Sequence, residues 1–312
     1  MPQTQHNDAG ESLYLARELE SIVPEVKETL YREMRSKDLI PVNTKAGAGT
    51  KNIIWRSATK YGRARIITAY GAKDLPKVGR AMSENTVKVH SAGSSASWTR
   101  QEVRESQQAG KSLDRELMLQ MGDENARTID QATLLGDTQH GIQGFFNYAG
   151  LTQATIPADG TGSSKTWATK TGSQILRDCG NLIKAVTVTT NGVEKPNTIC
   201  IPLSVYVDIS VREFSAANSS NKTILAYLLD NLKALGITDI VGLPELETLG
   251  AGGTGRAFIY TKDPRKVEQH IPLVYEATPP QADGLEWKVA GESRFAGTTF
   301  YYLLSAAYGD GI

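Results

Sequence analysis

The sequence predicts an α+β protein in which one long helix carries an extended β-ribbon and a small α/β body. Three observations predict it. Between Ser112 and Leu135, Leu113, Leu117 and Met121 recur by fours, and Ile129, Ala132 and Leu135 by threes, so one helical face is apolar. Residues 51–97 carry strand signals with few bulky apolar side chains, the mark of a ribbon that cannot bury itself. Residues 173–262 alternate helical and strand patterns, which indicates a small α/β unit.

The long helix can start at Ser112 as N-cap, with Asp114 and Glu116 in a first turn that favours negative charge. At the usual rise it spans about 36 Å, enough to cross a domain. Gly122 in its interior costs roughly 1 kcal/mol relative to alanine and must be offset by packing. Gly136 supplies the C-cap, and the following glycines with Phe145 and Phe146 predict a tight, packed corner.

Ahead of the ribbon, residues 1–50 read as an arm. Leu13, Leu15, Ala16, Leu19 and Ile22 mark a short amphipathic helix over Glu11–Val23, stopped by Pro24. A second helical piece covers Glu25–Arg35, and Asp38–Val42 is extended, because Pro41 biases Ile40 away from helix. The ribbon is expected as strands Asn52–Ala58, Arg63–Tyr70 and Asn85–Ser91, with a turn at Tyr61-Gly62 and loops at Gly71–Pro76 and Gly93–Ser97. After the corner, residues 150–172 form a loop around Trp167, and Ser173 caps a helix through Val186. Asn197–Ile201, Ile237–Val241 and Arg256–Tyr260 read as strands and Thr223–Leu235 as a helix, while Leu203–Val211 fits either state. The chain closes β-like through Ile271–Tyr275, Leu285–Val289 and Thr298–Leu304. An arm and a ribbon that both want a surface to lie on point to another protein as partner, above all a second copy.

Lys+Arg and Asp+Glu both number 34, and no dense basic run occurs, so sequence-specific nucleic-acid reading is disfavoured. Neither a secretory leader nor a membrane-length apolar run is visible, so a cytosolic product is expected. Cys179 and Cys200 read as small core residues. Gly250–Gly255 fits the dinucleotide-loop spacing formally, but a strand follows where phosphate binding needs a helix, so a surface turn is expected. Gly110-Lys111-Ser112 lacks the upstream glycine of a phosphate loop, since Glu105 stands there. The four histidines are scattered, and a structural hydrogen bond is the expected role of His140. No catalytic, cofactor or metal site is expected.

The order of these parts resembles the major capsid proteins of tailed phages, the branch with the encapsulin-like (Hong Kong 97-type) shell fold. The resemblance is carried by Arg17-Glu-Leu-Glu-x-Ile-x-Pro24, Asp38-Leu-Ile-Pro-Val42, Asp74-Leu-Pro76, Gln101-Glu102 and Gly110-x-x-Leu-Asp114. It continues through Gly136-Asp-x-x-x-Gly-Ile-x-Gly144, Phe145-Phe146-Asn147 and Tyr308-Gly-Asp-Gly-Ile312.

It implies an E-loop over residues 51–97, a P-domain over 98–150 with spine helix 112–135, an A-domain over 151–265, a return to the P-domain over 266–300 and to the A-domain over 301–312. It further implies a homo-oligomeric icosahedral shell of hexamers and pentamers around double-stranded DNA contacted non-specifically. The shell would be built in the host cytoplasm with scaffold, portal and decoration proteins as further partners and no membrane. Because the sequence starts almost at the arm, a separate scaffold protein, or none, is expected. Candidate inter-subunit contacts are Leu13, Leu19, Ile22, Trp55, Arg63, Arg65, Ile67, Val87 and Val89. Some relatives crosslink an E-loop lysine to a neighbour's asparagine; Lys60, Lys73 and Lys77 are available here. A cellular encapsulin-type compartment is the nearest rival reading; a nucleotide-binding enzyme and a tail or adhesion protein are more distant ones.

Overall fold

A ten-residue antiparallel pairing decides the architecture of half the molecule. In the computed structural model, which describes residues 31–66, 75–110, 113–215 and 220–312, His90–Thr99 pairs along its whole length with Glu286–Phe295. The loop expected at Gly93–Ser97 is therefore a strand, and the ribbon ends at Lys88 rather than Ser97. Its small residues mislead a propensity reading, but Ala92 and Ala96 pack inward while Ser91, Gly93, Ser95 and Ser97 face out. Leu273–Ala277 and Gln281–Asp283 add to the other side of the 286–295 strand.

The long helix, Leu113–Leu134, lies under this sheet. Met121 meets Trp98 and Val289 in one cluster, with Leu113 and Leu117 half-buried beside them; Ile129 and Ala132 meet Phe295 and Ile271 in the next. Gly122 faces the ring of Tyr275, with 3.7 Å to the place a Cβ would occupy, so the packing that offsets its weak propensity is an aromatic ring. Buried Asn125 ties the two layers, donating to the Ala92 carbonyl at 3.2 Å and accepting from the Ser293 hydroxyl at 2.5 Å. Ahead of the helix, Thr99 and Glu102 form a reciprocal capping box for the short helix Arg100–Gln108.

The second sheet has strand order Asp239–Leu243, Thr198–Pro202, Arg256–Tyr260, Ala306–Asp310, Thr152–Gln153. Alternation along Arg256–Tyr260 sends Ala257 and Ile259 to one core and Phe258 and Tyr260 to the other. The first core takes helices Gly172–Thr187 and Ile224–Leu232 through Ile175, Leu182, Val186, Leu228 and Leu232. The second joins the sheet to the end of the long helix through Leu134, Phe145, Phe146 and Phe300. Phe145 packs edge-on or stacked against Phe146, Tyr260 and Phe300 at centroid distances of 4.9, 4.8 and 5.5 Å. The glycine corner makes this possible: Gly136 has φ +81°, and a Cβ on Gly144 would lie 2.2 Å from the Leu135 carbonyl carbon.

Other expectations shift at their edges. Thr171, not Ser173, caps the helix that starts at Gly172. Thr223 caps rather than opens Ile224–Leu232, whose expected last turn is 3-10 at Lys233–Leu235. Leu203–Val211 is a helix. Residues 31–35 are not helical; a single turn, Ser36–Leu39, forms instead where extended chain was expected, because buried Asp130 accepts from the Ser36 amide at 2.7 Å. Ile40 is extended as Pro41 requires. The last strand of the aromatic run stops at Phe300, leaving Tyr302, Leu303 and Leu304 exposed. The helix expected at Glu11–Val23, with Leu13, Leu19 and Ile22, lies outside the described residues, as does Ile67.

Candidate assembly surfaces

The ribbon is a hairpin of Asn52–Tyr61 and Gly79–Lys88 in continuous register from Asn52↔Lys88 to Tyr61↔Gly79. It holds itself together by cross-strand pairs: Arg56 Nε donates to Glu84 at 2.8 Å, and the Ser57 and Ser83 hydroxyls lie 2.6 Å apart. The expected turn at Tyr61-Gly62 is not the tip, because the strand's partner begins only at Gly79; Arg63–Ile66 is irregular, and the rest of the expected Arg63–Tyr70 strand lies outside the described residues. Few of the hairpin's side chains are covered. Ile54, Tyr61, Ile66, Leu75, Val78 and Met82 are all exposed, an unusual density of apolar surface for one element.

The candidate contact residues divide. Arg63 and Arg65 stand in solvent beyond the last paired residue, Tyr61. Trp55 and Val87 are half-buried at the root, where Trp55 meets the Tyr301 ring edge-on at 5.5 Å. Val89 is buried within its own chain, so it anchors the root and offers a neighbour little surface. Between root and body a cavity of about 520 Å³ is lined by Trp55, Val87, His90, Tyr148, Phe300 and Tyr301.

Residue patterns alone did not reveal the polar seat under that root. Tyr301 Oη donates to Glu268 at 2.6 Å and lies 3.2 Å from His270 Nε2, and Asn43 donates to the same Glu268 oxygen at 2.9 Å. Burial pushes the Tyr301 hydroxyl up, helped by the Glu268 carboxylate, and holds His270 below the ordinary histidine value, against the opposing pull of Glu268. A seat of this kind fixes an element's direction; nothing in it activates a nucleophile. Elsewhere, Val193, Tyr302, Leu303 and Leu304 line an open apolar hollow of about 610 Å³.

His140 Nδ1 lies 2.6 Å from Asp137 in the corner, a structural hydrogen bond. Both cysteines are buried and unpaired, and burial pushes the Cys179 thiol up to about 12 and Cys200 in the same direction. Gly250–Gly255 is a turn closed by the Gly250 amide on the Thr254 carbonyl at 2.7 Å, and it leads into strand Arg256–Tyr260. Among the described residues no group of three potential ligands is placed to hold a metal ion, and no helix is long and apolar enough to cross a membrane.

A projecting hairpin, a long helix under a sheet and a second, mixed sheet with its own helices define the Hong Kong 97-type shell fold of phage capsids. The chain is similar over 96% of its length to 99% of the chain in "The capsid of Myoviridae Phage XM1", with TM-score 0.81 at 19% identity. A Gordonia phage Cozz structure aligns with TM-score 0.60 at 15% identity, covering 99% of this chain and 98% of that one. The capsid of a native GTA particle aligns with TM-score 0.63 at 9% identity, covering 95% and 96%. No curated protein sequence matches. The family model for "Major capsid protein" matches residues 62–312, and the chain belongs to that family. It is a major capsid protein of phage shells, a structural rather than a catalytic component, and the cellular-compartment reading is not favoured.

Proposed function

We propose that this chain closes into an icosahedral shell of hexamers and pentamers around double-stranded DNA, assembled in the host cytoplasm, with the hairpin lying over a neighbouring subunit as its E-loop. The observation that carries this reading is the hairpin: its two strands of ten paired residues bear apolar side chains that the described residues leave exposed. In closed symmetry, many modest contacts act together, so no single interface has to be strong. The long helix and its sheet would serve as the P-domain and the second sheet as the A-domain. DNA inside such a shell is confined without being read, in keeping with 34 basic against 34 acidic residues. Scaffold, portal and decoration proteins are the further partners this role calls for.

The test is expression of the chain alone, followed by analytical ultracentrifugation and negative-stain microscopy. Closed particles of uniform size are expected. Monomers and small oligomers under every condition of salt, pH and added scaffold would overturn the proposal.

A further inference from the structure

Beside the second sheet, an amine and a carboxyl group are buried against each other. Lys170 Nζ is 2.5 Å from Asp178 Oδ2, and neither side chain has any exposed surface. Exposed lysine–carboxylate pairs stay ionic because water solvates both charges; a pair sealed from water loses that advantage. One proton moved from the ammonium to the carboxylate leaves an amine touching a carboxylic acid, the two halves of an amide. The local backbone holds them in place. Thr171 caps helix Gly172–Thr187, which carries Asp178, and Lys170 directly precedes that cap and donates to the Pro157 carbonyl at 2.7 Å. Attack is therefore intramolecular, with the reacting groups already in contact.

The neighbours are those a condensation needs. Asp159 Oδ1 lies 3.3 Å from Lys170 Nζ; it is buried and accepts no hydrogen bond among the described residues, so it is placed to take a proton from the attacking amine. Arg177 donates to Asp178 Oδ1 at 3.1 Å and reaches Asp159 Oδ2 at 2.5 Å. It holds the proton acceptor and faces the oxygen on which negative charge develops.

We propose that Lys170 and Asp178 join in an isopeptide bond within one chain, with no further reactant. With the transferred proton on Oδ2, the Nζ lone pair bonds to Asp178 Cγ and charge collects on Oδ1 beside Arg177. Asp159 passes a second proton from Nζ to Oδ2, and the Cγ–Oδ2 bond breaks to release water. One amide and one water replace one ammonium and one carboxylate, so atoms and electrons balance. The side chain of Asp159 is 29% exposed, which gives the water a way out. The bond ties the segment that follows Trp167 to the helix, inside a single copy rather than between copies.

Intact-mass spectrometry of the purified full-length protein tests it. Folded wild type should weigh one water molecule less than its sequence. Trypsin should no longer cut after Lys170 and should release residues 166–177 joined to 178–184. Lys170→Arg, which keeps a cation and forms no such amide, should show the full mass. Asp159→Asn should leave most freshly folded protein at full mass, since losing a proton-transfer group slows such a step about a hundredfold or more. The wild-type mass decides even where a variant fails to fold. Full mass after prolonged incubation of folded wild type would overturn the proposal. So would a water lost elsewhere in the chain with Lys170 still cut by trypsin.

Discussion

Lys170 is a fully buried cation, and its partners show how single residues hold the second sheet's surroundings in place. Its Nζ meets Asp178 at 2.5 Å and Asp159 at 3.3 Å and donates to the Pro157 carbonyl at 2.7 Å, while Arg177 bridges the two carboxylates. The cluster clamps the segment before Trp167 to helix Gly172–Thr187. Lys170→Met leaves Arg177 as the remaining cation on buried Asp178 and should cost up to about 3–5 kcal/mol by chemical denaturation; adding Asp178→Leu should return part of it. A double variant no more stable than the single one would contradict the account. Gly144→Ala forces a methyl into the Leu135 backbone and should cost about 1–3 kcal/mol or more. Both thiols should resist a disulfide-exchange reagent until the protein unfolds; fast labelling of native protein would show that the burial is wrong. At this scale the sequence was unevenly readable. The glycine corner announces itself through residues adjacent in the chain, whereas the Lys170–Asp178 pair depends on a loop path that no local pattern encodes.

The hairpin is the element where stability and assembly separate. Replacing residues 62–78 by Asn-Gly would join Tyr61 to Gly79, which are already register partners, through a two-residue turn that suits a hairpin. Thermal unfolding should stay close to wild type while closed particles disappear; particles formed by the shortened chain would remove the hairpin from the mechanism. Its root has a pH dependence of known sign. Because His270 is held below the ordinary histidine value, the unfolded chain binds more protons as the pH falls below about 6.5, so this part of the stability is complete above that pH and declines beneath it. His270→Gln should flatten that acid slope in melting curves taken between neutral and mildly acidic pH, although His90, shifted the same way, leaves a residual slope. An unchanged slope would count against the assignment. The ribbon's existence was legible from strand signals without bulk, but its end was not. Small residues from Ser91 to Ser97 look like a loop until Glu286–Phe295, nearly two hundred residues later, supplies their partner.

For the whole molecule, the sequence order of arm, ribbon, helix, corner and α/β body carried the family resemblance, and the matched residues 62–312 establish the family. What order cannot convey is which surfaces meet, because a contact between copies leaves no periodicity in one chain. It shows instead as mismatch within the monomer: exposed apolar side chains on the hairpin. The most direct test is a cryo-electron reconstruction of the assembled protein. The account predicts a closed shell with each hairpin lying over an adjacent subunit. A shell whose hairpins fold back on their own subunit, or point into solvent, would contradict it.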